Sequence, residues 1–385
     1  MVFRARVVGF MLLIVGLGAV SGCLENPEKP PRARQERLTV AETLGAQPEA
    51  GFARALKPRR FTFPADHGPH PHFKTEWWYY TGNLASEQGR RFGYQLTFFR
   101  IALQPTPIKR DSAWATHQIY MAHFAMTDPQ TERFIHAERF SRAALNLAGA
   151  AADPFRVWLE DWSAIGETAT GLPMRLVAGA ENVAIDLRLA SAKPPVLQGE
   201  RGLSRKSAEP GNASYYYSLT RMPTVGEIRI DNQVFKVAGN SWLDREWSTS
   251  ALGENQVGWD WFSLQLEDGR DLMYYQLRLR DGRADPLSSG VLVARDGTSQ
   301  RLLRGDVQIE VLDYWVSPHS QARYPARWRL QVPDRQLDLE ITPLLADQEL
   351  QTTVRYWEGA VAVRGSSRGI PIGGLGYVEL TGYAE

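Results

Sequence analysis

The chain has 385 residues, 12 of them tryptophan, and a formal net charge of +1. This length exceeds that of one typical hydrophobic core and favours two domains, whereas the near-neutral charge gives no indication of nucleic-acid binding. An aromatic content of 11% favours β structure with large apolar pockets.

The N-terminal segment is typical of a bacterial lipoprotein signal peptide. Two arginines precede an apolar run over residues 7–20, which is too short for a membrane span of about 20 residues. A serine and a glycine then precede Cys23, the only cysteine of the chain. We therefore expect residues 1–22 to be removed and Cys23 to be acylated. The alternative is an ordinary signal peptide with an incidental cysteine.

Acylation would hold the protein to a membrane on the periplasmic side of the cell envelope. Leu24 stands where an aspartate would favour retention in the inner membrane, so the outer membrane is favoured. Residues 23–57 are rich in Pro, Glu, Arg and Ala and are predicted to be a tether to the folded part. With Cys23 acylated, no other thiol remains for a disulfide or a cysteine nucleophile.

From Phe61 onward the sequence predicts short strands separated by turns. The alternation of apolar and polar residues is clearest over residues 91–101, 119–128, 183–189 and 257–266. Because no helical segments alternate with these strands, the pattern predicts an all-β protein with an antiparallel sandwich or barrel. We place a domain boundary near Gly239, which gives domains at residues 58–238 and 239–385.

A dense acid–aromatic segment follows a loop rich in Pro, Gly and His. Its core is Glu76-Trp77-Trp78-Tyr79-Tyr80, which has strand propensity. In a strand, Glu76, Trp78 and Tyr80 share one face, and Trp77 and Tyr79 share the other. A carboxylate on an aromatic face is costly to bury without a partner. Glu76 is therefore either a satisfied core residue or a residue that faces a ligand.

A second acid–aromatic segment lies at residues 239–248, and a third follows at 258–262. In an extended chain Trp242, Asp244 and Glu246 share a face. A barrel mouth lined in this way could bind a long apolar molecule and hold a carboxylic acid at a raised pKa.

These segments supply the candidate site residues. The candidate catalytic acids are Glu76, Asp244, Glu246 and Asp260, and the candidate ligand-binding residues are Trp78, Tyr80, His123, Trp242, Arg245, Trp259 and Tyr274. A neutral acid of this set could protonate an alkene or an enol while the aromatic faces stabilise the resulting cation. Arg245 could pair with Glu76 or Asp260, so we expect one acid to be paired and structural and at least one other to face the cavity.

The chain also has a histidine-rich loop and a histidine in mid-strand. His67, His70 and His72 lie in one loop with Asp66, but their spacing matches no standard metal site, and no metal is predicted. His123 lies in mid-strand, where a hydrogen-bonded core histidine is commoner than a catalytic one. No cofactor is predicted, because the sequence has no phosphate-binding loop and no dinucleotide fingerprint.

Five segments of the chain form a specific pattern: residues 76–84, 123–128, 241–247, 258–262 and 376–383. Together they resemble the AttH-like and carotenoid 1,2-hydratase-like lipocalin family, over the chain from about Phe61 to its end. The resemblance implies two lipocalin-like antiparallel β-barrel domains side by side, whereas periodicity alone predicts only an all-β protein.

The resemblance implies two classes of function. Secreted lipoprotein members are usually encoded beside an ABC-transporter permease of the lipoprotein-release type. They imply a membrane-anchored protein that binds a lipid or other apolar molecule and assists an exporter. Hydratase and fungal members imply instead a cofactor-free hydro-lyase, cyclase or isomerase acting on a terpenoid or polyketide, and not a hydrolase. Hydratases have His and Asp where this chain has Arg245 and Gln276, so the carrier is favoured.

Overall fold

The computed structural model describes residues 50–106, 111–250 and 252–384. The predicted signal peptide, the acylation site at Cys23 and most of the tether lie outside the described residues. Within the described residues, no helix has the length and apolar character needed to cross a membrane.

The described residues form 23 strands and two 3-10 turns, Ala65–His67 and Pro333–Arg335. The strands of the first sheet are β1 (Thr75–Ser86), β2 (Arg91–Ala102), β3 (Gln118–Asp128), β4 (Arg133–Arg142), β5 (Ala148–Ala152), β6 (Phe155–Leu159), β7 (Trp162–Gly166), β8 (Met174–Ala180), β9 (Val183–Leu189), β10 (Val196–Leu197), β11 (Leu203–Arg205), β12 (Ala213–Ile230) and β13 (Gln233–Ser248). The strands of the second sheet are β14 (Gln256–Leu266), β15 (Asp271–Leu279), β16 (Ser289–Val293), β17 (Ser299–Leu303), β18 (Gln308–Val316), β19 (Arg323–Val332), β20 (Leu337–Pro343), β21 (Glu349–Gln351), β22 (Arg355–Ser367) and β23 (Ile370–Leu380).

Both sheets are antiparallel and curl into near-closed barrels. The first has the strand order β4-β3-β2-β1-β13-β12-β9-β8-β7-β6-β5, with β10 and β11 paired to β12. The second has the order β17-β16-β15-β14-β23-β22-β20-β19-β18, with β21 paired to β22. Each barrel is filled by its own apolar side chains, such as Leu96 and Leu176 in the first and Leu264 and Leu339 in the second. The predicted all-β class with two barrel-like domains is confirmed.

The change from one sheet to the other falls between Ser248 and Gln256. Strand β13 runs through Gly239 without a break and pairs with β1 as far as Ser248. All the described residues belong to one compact unit, so the division into domains at residues 58–238 and 239–385 stays a prediction.

The two barrels meet along central strands of their sheets. Strand β1 packs against β23, β2 against β22, and β12 against β14. Gly93 allows this approach, because a Cβ atom there would lie 2.4 Å from the Cβ of Ala360. Asn83 donates a hydrogen bond across the contact to the Gly376 carbonyl at 2.9 Å. The space between these strands is the setting of the candidate site.

Candidate active site

A cavity lies between the two barrels, although the sequence suggested only that a barrel mouth could bind a ligand and left the place of the pocket open. It comprises about 880 Å³ of empty space, part of it open to solvent. Strands of both sheets line it, and its aromatic wall is formed by Trp77, Tyr79, Trp259, Trp261, Tyr275 and Tyr356. This aromatic lining suits an apolar small molecule.

Strand alternation determines which side chains reach the cavity. On β1, Trp77 and Tyr79 line it, whereas Trp78 and Tyr80 point into the core of the first barrel. The predicted division of these aromatics between two faces is therefore correct. However, Trp78 and Tyr80, which the sequence predicted to bind a ligand, lie on the face that fills the barrel.

Two glutamates that oppose each other across the β22–β23 ladder, Glu358 and Glu379, line the cavity. Glu358 is fully buried, and neither of its carboxyl oxygens makes a hydrogen bond in the described structure. Burial and the neighbouring Glu379 raise the pKa of Glu358 well above its usual range. Burial also raises the pKa of Glu379 to about 8, although the Trp259 side chain partly offsets the effect. The pair therefore retains at least one proton at neutral pH.

Asp244 is a third cavity acid with a raised pKa. It accepts hydrogen bonds from the hydroxyls of Ser218 and Tyr216 and from the indole N–H of Trp242, the last at 2.7 Å. Burial outweighs these hydrogen bonds and raises the pKa of Asp244 to about 7. Asp244 can therefore exchange a proton near neutral pH.

Glu246, by contrast, is engaged with a cation. The Lys206 ammonium lies 2.9 Å from its Oε1 atom, and the Ser214 hydroxyl donates to the same atom. Burial lowers the pKa of Lys206, but the adjacent Glu246 carboxylate more than offsets this, and the pKa is raised. The ammonium also lies 4.5 Å from the centroid of the Tyr275 ring. Lys206 and Glu246 therefore form an ion pair at this end of the cavity.

His123 lies on the cavity wall between two partners. Its Nδ1 atom is 2.7 Å from the Tyr356 hydroxyl, and its Nε2 atom is 3.0 Å from Oε1 of Glu138. The two hydrogen bonds fix the ring and occupy both nitrogens, which agrees with the hydrogen-bonded histidine that we considered the commoner case.

Glu76 lies inside the first barrel and away from the cavity. Its carboxylate pairs with the guanidinium groups of Arg100 and Arg245, and all three side chains are buried. Burial raises the pKa of Glu76, but the two arginines outweigh burial and hold the pKa far below its usual range. Arg245 also lies over the Trp78 ring at 3.9 Å. This arrangement makes Glu76 a paired carboxylate and argues against its use as an acid.

Asp260 and Tyr274 lie on the side of the second barrel. Asp260 pairs with Arg278 at 3.0 Å and accepts a hydrogen bond from the Tyr383 hydroxyl, also at 3.0 Å. Burial raises the pKa of Asp260 despite these partners. Tyr274 belongs to the core of the same barrel. Neither residue is among those that line the cavity.

The predicted site residues therefore separate into two groups. His123, Asp244, Glu246 and Trp259 line the cavity, and Trp242 is hydrogen-bonded to one of them. The residues that face the interior of a barrel are Glu76, Trp78, Tyr80, Arg245, Asp260 and Tyr274.

The two opposed glutamates were missed as site residues. Trp357 directly precedes Glu358, and Tyr377 precedes Glu379 by two positions. Each is an acid in a strand of aromatic and apolar residues, which is the signal that singled out Glu76. The same signal could have found them.

Comparison with known proteins agrees with this architecture. A family model described as AttH-like matches residues 54–383. An AttH crystal structure from Nitrosomonas europaea is 36% identical with a TM-score of 0.76, and the match covers 86% of this chain and 100% of that one. No curated protein sequence matches the chain.

Two further solved structures share the fold at low identity. Kievitone hydratase from Nectria haematococca is 14% identical with a TM-score of 0.65, and the match covers 86% of this chain and 98% of that one. CghA with Sch210972 is 14% identical with a TM-score of 0.52, covering 89% of this chain and 98% of that one. At this identity the likeness concerns the fold alone.

Proposed function

The chain belongs to the AttH-like family, and we propose that it is an acid–base catalyst for an apolar, unsaturated small molecule bound between its barrels. The observation that supports this most is the opposed pair Glu358 and Glu379, two carboxyl groups with raised pKa values on the wall of an aromatic cavity. The reaction class is hydration, cyclisation or isomerisation, since each of these can proceed by proton transfer to or from the substrate.

The acids of the cavity have distinct parts in this proposal. Glu358 stays protonated near neutral pH and donates a hydrogen bond, whereas Asp244 and Glu379 have pKa values of about 7 and 8 and can each take up and release a proton. Efficient general acids and bases have pKa values near the working pH. The groups are held on strands, which keeps their geometry fixed.

Kievitone hydratase adds support from outside the chain. It is a hydratase by name and has the same fold, so this fold is compatible with the proposed class of reaction. The acids of this chain remain the main support for the reaction class, because the identity to that enzyme is only 14%.

The test is turnover in the presence of D₂O with a panel of polyenes, prenylated phenols and unsaturated ketones. Mass spectrometry would detect added water, solvent deuterium bound to carbon, or an isomer with altered retention. We expect Glu379→Gln to bind ligands normally and to lose about 10²- to 10⁴-fold in rate. Glu310→Gln, which alters an exposed acid of β18, is the matched control. Wild-type rates in both Glu358→Gln and Glu379→Gln would contradict the proposal.

Carriage of an apolar molecule is the second candidate, and the aromatic wall of the cavity favours it. In this form the protein would be anchored through Cys23 and would pass its ligand to an ABC exporter. Mass spectrometry of compounds that co-purify with the protein separates the two functions. A carrier would retain the same unaltered compound in wild type and in Glu379→Gln, and neither protein would convert it.

A further inference from the structure

We infer that the molecule bound in the cavity has a carbonyl group conjugated to a C=C bond, and that its oxygen lies between the Glu358 carboxyl and the Tyr79 hydroxyl. The inference rests on the proposed function and names its substrate class: an apolar α,β-unsaturated ketone or ester.

Glu358 and Tyr79 are buried polar groups that lack partners. Both line the cavity, with exposures of 0% and 6%. The two carboxyl oxygens and the Tyr79 hydroxyl make no hydrogen bond in the described structure. The hydroxyls of Tyr79 and Tyr356 both lie close enough to Glu358 to lower its pKa, but neither contact with the carboxyl oxygens has hydrogen-bond geometry. A buried polar group without a hydrogen bond is destabilising, so such groups call for a partner from outside the chain.

The other tyrosine hydroxyls of the cavity already have partners within the chain. Tyr216 donates to Asp244, Tyr275 contacts the Ser204 hydroxyl at 3.0 Å, and Tyr356 contacts His123. Of the described tyrosines that line the cavity, this leaves Tyr79 available to a ligand.

Both available groups are hydrogen-bond donors at neutral pH. Burial raises the pKa of the Tyr79 hydroxyl well above its usual value, and nearby carboxyl groups raise it further. Glu358 is likewise protonated. A carbonyl oxygen has two lone pairs and can accept from both groups at once. A neutral carboxylic acid beside a tyrosine hydroxyl in an apolar site is an arrangement that stabilises the charge of an enolate oxygen.

The strength of the acids also favours a carbonyl substrate. Protonation of an isolated alkene requires a strong acid, whereas a carboxyl group with a pKa of about 7 or 8 is a weak one. A conjugated carbonyl removes this difficulty, because the electron pair of the C=C bond moves to oxygen and no free carbocation forms.

Hydration of such a substrate involves two proton transfers by Glu379. The Glu379 carboxylate takes a proton from water as the water oxygen bonds to the β-carbon. The electron pair of the C=C bond then forms an enolate, whose oxygen is held by Glu358 and Tyr79. When the carbonyl re-forms, Glu379 returns the proton to the α-carbon. The net change is the addition of one water molecule.

The test compares two probes of matched shape, 2-acetylnaphthalene and 2-ethylnaphthalene, by calorimetric titration. We expect wild type to bind the ketone at least about tenfold more tightly, which corresponds to about 1.4 kcal/mol. The carbonyl stretch of the bound ketone should shift to lower wavenumber. Tyr79→Phe and Glu358→Leu should each reduce this preference without weakening the binding of 2-ethylnaphthalene, and the double variant should abolish it. Tyr275→Phe, whose hydroxyl has a partner in the chain, should retain it.

Equal affinity of wild type for the two probes would overturn the inference, as would a preference that survives in the double variant. Product formation from the substrate panel distinguishes this inference from the proposed function. Products without a carbonyl preference would overturn the inference alone. A preference that depends on Tyr79 and Glu358, without any product from the panel, would support carbonyl binding and contradict catalysis.

Discussion

Two buried acid clusters of this protein have opposite electrostatics. The paired cluster, inside the first barrel, consists of Glu76, Arg100 and Arg245, and its carboxylate is ionised. The cavity cluster, between the barrels, consists of Asp244, Glu358 and Glu379, whose pKa values are raised. Glu76 and Glu358 are both 0% exposed, so burial cannot account for the difference.

The difference arises from what each acid faces. In the first sheet, Trp78 of β1 lies beside Arg245, and Glu76 of β1 lies beside Arg100. The Glu76 carboxylate therefore faces two guanidinium groups from neighbouring strands. Glu358 faces another acid across its ladder. Cationic partners stabilise the charged form of a buried carboxyl group, whereas an acidic neighbour stabilises its neutral form. The first arrangement suits a scaffold and the second suits proton transfer.

The largest expected effect is on stability when the paired cluster is broken. Glu76→Gln removes the carboxylate and leaves two buried guanidinium groups without it, so we expect a loss of about 3–5 kcal/mol in the free energy of unfolding. Urea denaturation followed by tryptophan fluorescence measures it. Glu310→Gln should change the value by less than about 0.5 kcal/mol. If Glu76→Gln were as stable as wild type, the paired cluster would not be a structural element.

The cavity cluster should make the free energy of unfolding depend on pH. Asp244 has a pKa of about 7 when folded, against a usual value of 3.8. The folded state therefore binds this proton more tightly, and its stabilising effect is present at low pH and lost as pH rises from about 4 to about 7. Asp244→Asn lacks this loss. Its stability relative to wild type should increase over that range, by at most about 1.4 kcal/mol per pH unit. A difference that is constant with pH would contradict the raised pKa.

The contact that creates the cavity can be tested by overpacking. Gly93→Ala would place a Cβ 2.4 Å from the Ala360 Cβ and 3.3 Å from the Tyr377 hydroxyl. We expect a loss of about 1–3 kcal/mol in the free energy of unfolding and a change in ligand affinity, since the barrels must move apart. Gly305→Ala is the control, because no heavy atom lies within 4 Å of its added Cβ. Equal effects of the two substitutions would show that the barrels do not approach closely at Gly93.

The smallest expected effect is that of Glu358→Gln on stability. Since Glu358 is neutral and makes no ion pair in the described structure, an amide of the same shape should change the free energy of unfolding by less than about 1 kcal/mol. Chemical denaturation at pH 7 of this variant beside Glu76→Gln gives the sharpest comparison of the clusters. A loss as large as that of Glu76→Gln would mean that Glu358 is also structural.

The sequence predicted which side chains of a strand share a face, but not what each face contacts. Alternation correctly grouped Trp77 with Tyr79 and Trp78 with Tyr80, because successive side chains of a strand must point to opposite sides. It could not show which side becomes the barrel interior. The ligand was therefore expected on the face of Trp78, although the cavity lies on the face of Trp77.

The partners of the acids were predictable only in part. The expectation that Arg245 pairs with a carboxylate holds, and of its two alternatives the structure selects Glu76 over Asp260. The opposition of Glu358 and Glu379 depends on the β22–β23 register. Register is fixed by turn geometry and by burial across the whole sheet, and the local residues do not specify it.

By itself the sequence determined the all-β class, the family and the two faces of each strand, because these follow from side-chain periodicity and from motifs within short segments. Only the tertiary structure decided where the cavity lies and which acids are neutral. Both depend on the packing of two curled sheets against each other, which brings Tyr79 of β1 next to Glu358 of β22. A pKa is determined by the groups around a side chain in space, and 279 positions of sequence separate these two residues.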